Sequence, residues 1–483
     1  MFRSIFITFG NCFKIPELKS RILFTAMLLG ICRLASLIPT PGLDSRALTE
    51  YFQSAAGKNM GGGLMGMYSM FTGGGLEKCA VGSLGIMPYI SATIVLQLLQ
   101  AVIPSLSKMA REEGGRAKLI QQGRYLTVGL CLIQGLVMAI SWEHPSASTM
   151  FPNFKGGADQ THGGLVLIHA IWWYRIQTTL ILTTGTILLM WLGEQITDRG
   201  IGNGISLIIT IGILARLPQM VLGLKDMFLT PDSTTGLYQY NIFHFAAMML
   251  LLAGVIAGIV AVTQAQRKIP VQYAQRVVGR KTYSGGSSFM PLRVNYAGVM
   301  PVIFASAILM FLTFIPRYLG RYFSETPSFP TWIQGFGVIL TQTADSLNRG
   351  SLLYLILYGL MILFFSYFWV ATQFNEIQIA DDMKKGGGYV PGVRPGQATS
   401  DFLHKTMSRI TLAGAIFLTI IAVVPIIMNS WMSIPYQVSQ FFGGTSLLIM
   451  VGVMLDTMRQ MEAQLLTRQY PGFLKKGRVK GRF

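Results

Sequence analysis

FHFAAMMLLLAGVIAGIVAV, residues 243–262, runs for twenty positions without a Lys, Arg, Asp or Glu. A helix of that length rises about 30 Å, the thickness of a bilayer's hydrocarbon core. The run shows no apolar–polar alternation, so it is not a barrel strand. A helix is then the open-ended way to satisfy its backbone in lipid. Nine further blocks read alike: 22–38, 80–103, 125–141, 176–192, 205–222, 297–315, 352–372, 410–428 and the short 441–455. Charged or Gly/Pro-rich stretches separate them, as loops should. The 483 residues are 51% hydrophobic and 12% charged, against about 25% charged in soluble domains. The sequence predicts an all-α polytopic membrane protein of ten transmembrane helices.

Lys and Arg set its orientation. With the N-terminus in the cytoplasm, the inner segments carry 28 of the 39 basic residues and the outer segments 9. Both termini are therefore expected inside, in agreement with an even number of spans. Residues 1–21 read as a basic cytoplasmic arm and not a cleavable leader. The spans fall into halves at 22–222 and 242–460, joined by an outer loop at 223–241 and followed by a basic tail at 461–483. Five spans per half is odd, so the second half must be inverted. Inverted halves place a transport path at their interface.

Three loops stand out. GGGLMGMYSMFTGGG, residues 61–75, is too apolar for water and too short and glycine-rich to span. It reads as a re-entrant segment over about 61–76, since non-spanning backbone at membrane depth survives only inside protein or beside a water cavity. The basic loop 263–296 holds two β-prone stretches, 269–274 and 289–294, expected to pair as a cytoplasmic hairpin. The loop 375–409 contains KKGGGYVPGVRPG from Lys384 to Gly396. Its length favours a docking surface over a bare topology signal.

The chemistry left out is informative. Coupled carriers keep a carboxylate inside a span despite its cost, and these spans hold essentially none. Arg33 is the one clear intramembrane charge, read as a clamp on backbone carbonyls. Gly200 to Gly204 does not fit a phosphate-loop spacing. No nucleophile–base pair lies in the spans, and the four cysteines and five histidines are scattered without metal or redox spacing. Neither catalysis nor a cofactor is expected. Composition and charge alone stop at a channel or transporter without its own coupling carboxylates, an insertase or a solute carrier included.

Specific strings go further. They are RLASLIPTPG (33–42), GIMPYISA (85–92), MWLGEQITDRGIGNGIS (190–206), PGVRPG (391–396) and FGGTSLLI (442–449). Through these, nearly the whole chain resembles the SecY family, the channel subunits of the bacterial Sec protein translocase. The resemblance implies an hourglass pore in a bacterial inner membrane, passing unfolded secretory chains outward and membrane helices sideways. It implies an apolar pore ring at Ile86, Ile90, Ile205, Ile209, Ile303 and Ile449. The plug falls on the glycine-rich segment, with Gly63, Leu64, Met67, Met70, Phe71 and Gly75. Ser91, Gln97, Asn203 and Asn295 fall at a lateral gate that would part for signal-sequence-bearing preproteins and open toward membrane lipids. Arg280, Lys281, Lys384, Lys385 and above all Arg394 match the surface that docks the SecA motor or the ribosome. SecE and SecG are the implied companion subunits. The chain departs from the family pattern at Thr263-Gln264, Asn375-Glu376 and Ser287-Ser288-Phe289, all in the docking loops.

Overall fold

The structure is a computed structural model and describes residues 15–53, 68–69, 71–112, 114–145, 165–168, 170–229, 240, 242–273, 276–278, 281–283, 286–325, 330–347, 351–432, 438 and 445–468. The helices are α1 (Pro16–Ala35), α2 (Ser45–Gln53), α3 (Met87–Val102), α4 (Pro104–Arg111), α5 (Gly115–Glu143), α6 (Ile171–Arg199), α7 (Gly204–Leu214), α8 (Leu217–Leu229) and α9 (Ile242–Gln264). Strands β1 (Gln266–Tyr273), β2 (Arg276–Val278), β3 (Lys281–Tyr283) and β4 (Ser287–Arg293) follow. Then come α10 (Met300–Glu325), α11 (Thr331–Ser346), α12 (Leu352–Gln373), α13 (Glu376–Lys385), β5 (Gly388–Tyr389), α14 (Gln397–Met432) and α15 (Thr445–Arg468).

Every expected span contains a helix. Among the described residues, six helical stretches are long and apolar enough to cross a membrane: Ala117–Glu143, Ile171–Arg199, Gly204–Lys225, Phe243–Gln264, Leu352–Lys385 and Gln397–Met428. The expected span 80–103 is corrected. Its helix starts only at Met87, and residues before it turn irregularly, with Gly85 at φ +59°. The expected span 205–222 falls within Gly204–Lys225, with a two-residue turn at Ala215 and Arg216 between α7 and α8. The first helix begins at Pro16, inside the segment read as a cytoplasmic arm. A helix not anticipated, α11, lies in the outer segment 316–350.

The chain divides into two compact units, Met1–Val221 with Val453–Phe483, and Leu222–Gly452. In the first, α5 and α6 pack as an antiparallel pair with an ion pair at each end. Arg124 forks onto Glu194 at 3.0 and 2.8 Å, and Arg175 forks onto Glu143 at 2.9 and 3.1 Å. The sequence reading passed over the second pair, in which Glu143 is only 7% exposed. Threonines sit inside α6 because their hydroxyls donate to the preceding turn, Thr183 to Thr179 O and Thr186 to Leu182 O. On the side read as outer, α2 closes over an apolar cluster that includes Leu48, Leu76, Cys79, Trp142, Leu165 and Tyr174.

In the second unit α10 and α11 form a helical hairpin. Gly320 and Gly337 meet so closely that a Cβ at either would lie 2.7–2.8 Å from the other's carbonyl oxygen. Arg317 donates to Asp345 at 2.7 Å alongside. The expected hairpin is present, with β1 and β4 antiparallel and Ile269 opposite Met290. Its reach is wider than expected, because β5 from the loop 375–409 adds to β1 and makes a sheet of order β4-β1-β5. Ile269, Leu292, Val390, Phe374 and Leu403 bury one core beneath it.

Candidate functional site

The irregular backbone from Phe71 to Ile86 is held inside the first unit. Gly82 N–H donates to Ala35 O at 2.9 Å, Val81 N–H to Ile38 O at 2.9 Å and Thr40 N–H to Cys79 O at 2.8 Å. These bonds supply what a helix would otherwise provide at membrane depth. The approach needs small residues on both sides. A Cβ on Gly185 of α6 would overlap the Val81 carbonyl, and one on Gly82 would press on Ala35 O at 3.1 Å.

The end of the segment expected to be a plug is clamped from two directions. Arg33 Nη1 donates to Gly73 O at 2.6 Å, so this charge is the carbonyl clamp expected from the sequence. Gly73, at φ +64°, also lies against α7, where its Cβ would come within 3.0 Å of Gly212 Cα. Arg216, just past α7, donates to both Ser69 Oγ and Glu77 Oε1. Ser69 Oγ in turn donates to Glu77 Oε1 at 2.9 Å. Sequence reasoning missed Ser69, Glu77, Gly212 and Arg216. Its available signal was a charge on each side of an apolar run, and spacing gives no partner across 139 residues.

A small, partly open cleft is lined by Arg33, Phe71, Thr72, Ile86, Ile208 and Gly212, among others. It brings Phe71, a predicted plug residue, beside Ile86, a predicted ring residue. Gly75 is buried in the same turn, while Gly63, Leu64, Met67 and Met70 lie outside the described residues. Ile86 is 1% exposed and its carbonyl accepts from Ile90 N–H at 3.1 Å, so the two stack on one face of α3. Ile205 and Ile209 are one turn apart on α7. Ile209 is buried, and Ile205 leans toward Gly193 of α6. In the second unit Ile303 and Ile449 are both buried, each one turn from the contact of Val299 with Gly452.

The predicted gate residues differ in state. Asn203 caps α7, accepting from Ile205 N–H at 3.1 Å and Ser206 N–H at 3.3 Å. Ser91 is half-buried on α3. Gln97 Oε1 and Asn295 Nδ2 are covered, with no hydrogen-bond partner among the described residues. On the loops expected to dock a partner, Lys384 and Lys385 are exposed at the end of α13. Arg394 projects from a turn set by Gly392 at φ +83° and Gly396 at φ +107°, and Thr399 Oγ1 donates to its carbonyl at 2.9 Å. Lys281 lies in β3, and Arg280 lies outside the described residues.

The family model that matches is SecY, over residues 80–458. The chain belongs to the SecY family. The protein translocase subunit SecY of Chlamydia trachomatis is 41% identical, over 98% of this chain and 99% of its own length. That of Thermotoga maritima is 37% identical, with the same shares covered. Among solved structures, a protein-conducting channel aligns at TM-score 0.57 and 16% identity, covering 94% of each chain. Sec61 from a canine ribosome–channel complex aligns at TM-score 0.53, 16% identity and the same coverage. The fold is thus the ten-helix fold of these channels. As a SecY-family member the chain is a multi-pass membrane protein and a protein-conducting channel subunit.

Proposed function

We propose that unfolded secretory polypeptides cross a bacterial inner membrane through this chain, and that membrane helices leave it sideways into lipid. In this reading SecE and SecG are its companions, SecA or the translating ribosome drives it, both termini are cytoplasmic, and it conducts without catalysing bond chemistry. The halves 22–222 and 242–460 are its two functional divisions. The observation that carries the reading is the cleft shared by Phe71 and Ile86. A plug over an apolar ring explains why glycine-rich backbone is buried against a ring position. An apolar constriction resists wetting and blocks ions. Isoleucine, stiff at χ1 yet unspecific, suits a gasket around arbitrary chains.

The test is a photocrosslinker at Ile90 in vesicles holding a stalled export substrate. Crosslinks to the substrate are expected, and none in active vesicles would sink the pore reading. Replacing Ile86 and Ile449 by Ser should raise the resting ion conductance, and an unchanged conductance would remove the ring. Arg394→Glu should cripple SecA-driven export while assembly stays intact. Basic side chains on an exposed loop suit the phosphate-rich face of a ribosome, with salt-dependent affinity.

A further inference from the structure

We propose that Arg216 and Glu77, with Ser69 between them, form an ionic latch that holds the plug shut. The inference rests on reading residues 61–76 as a plug. Ser69 and Glu77 stand on either side of the Phe71–Gly75 turn, and a single guanidinium nitrogen of Arg216 meets both. The turn is therefore gripped at both ends from one point on another element. That point is itself fixed, because Arg216 N–H donates to Ile213 O at 3.1 Å at the end of α7. Arg216 Nη2 lies 3.9 Å from where a Gly74 Cβ would be, so the charge sits against the turn it secures.

The latch differs in kind from the Arg33 clamp. Arg33 binds a neutral carbonyl, and no change of a side chain at Gly73 can reverse that partner's sign. Arg216 binds a carboxylate that can be exchanged with it. The pair is also only partly covered, with side chains 17% and 15% exposed. Salt therefore reaches it, though less than it reaches a surface pair. The second edge of the fork, Arg216 Nε, is covered and has no partner among the described residues, so the full grip of the guanidinium rests on the Ser69 and Glu77 side. Freeing the plug means separating these charges, so the pair biases the closed state in proportion to its strength.

The experiment measures resting ion conductance of the complete reconstituted translocase in planar bilayers at low and high salt. Glu77→Arg and Arg216→Glu should each raise the leak about tenfold at low salt, the change expected when ~1.4 kcal/mol of closed-state bias is lost. The double exchange should return it to within about twofold of the parent. Glu77→Gln, nearly isosteric, should leak with its thermal melting unchanged, separating latch from fold. High salt should raise the parent's leak toward that of the variants. Deleting residues 61–75 serves as the reference. If the deletion does not leak, the plug reading fails. If the deletion leaks and neither charge reversal does, the latch fails while the plug stands. Single variants that leak without rescue by the exchange would also overturn it, since packing and not charge would then be responsible.

Discussion

Two glycine-rich turns in this chain use one backbone device for opposite ends. The turn at Gly73 and Gly74 has φ +64° and +84°, and the turn at Gly392 and Gly396 has φ +83° and +107°. Each has an arginine beside it. In the first, Arg33 reaches inward to the Gly73 carbonyl, and α7 lies so close that a Cβ would meet Gly212. In the second, a Cβ on either glycine would meet nothing within 4 Å, and Arg394 points outward. Left-handed backbone makes both turns possible. What stands opposite separates them: the first turn is buried against a helix and the second is open, which in the proposed function suits the first to closure and the second to docking.

The comparison can be broken by filling the space behind the buried turn. Gly185→Val forces a side chain into the Val81 carbonyl, and backbone cannot swing aside as a side chain can. Overpacking of this kind should cost about 3 kcal/mol, read as a lower melting temperature of the detergent-purified protein. A normal melt would show that the turn yields. Gly73→Ala is the next largest, with about 1–2 kcal/mol of left-handed strain plus the contacts with Arg33 and Gly212. It should appear as resting ion leak in bilayers. Gly392→Ala carries the strain alone, about 1 kcal/mol. It should weaken motor docking severalfold and leave the resting leak at the parent value; equal leak from the two alanine variants would erase the distinction. The smallest effect concerns Cys79. Its thiol is fully buried, so a maleimide should label it slowly in the closed channel. Faster labelling during export would report that the turn opens.

Much of the fold was legible. The ten apolar blocks each hold a helix, because burying twenty apolar residues in lipid needs no partner from elsewhere in the chain. The hairpin was legible from β-prone runs either side of polar turns, and Ile269 does pair with Met290. Other features were not. Residues 80–85 are as apolar as a span, yet they turn, because Gly82 packs on Ala35 and Gly85 takes a positive φ. The α11 helix escaped notice because its polar residues break the apolar run, and it is stabilised by Gly337 meeting Gly320. The strand β5 is two residues long and exists only because β1 offers an edge.

The candidate site divides the same way. Arg33 was legible as a carbonyl clamp, since a lone charge in a span must find backbone oxygens. Its acceptor, Gly73, was not, because the sequence does not state which carbonyl lies 2.6 Å away. The sequence by itself determined the spans, through an apolar content that only lipid satisfies, and its motifs carried the resemblance to the SecY family. Only the tertiary structure decided that Glu77 faces Arg216 across 139 residues and that Phe71 shares a cleft with Ile86. Hydrophobicity is additive along a chain and can be read locally. Contacts between distant residues are made by the packing of helices, and no local pattern encodes them.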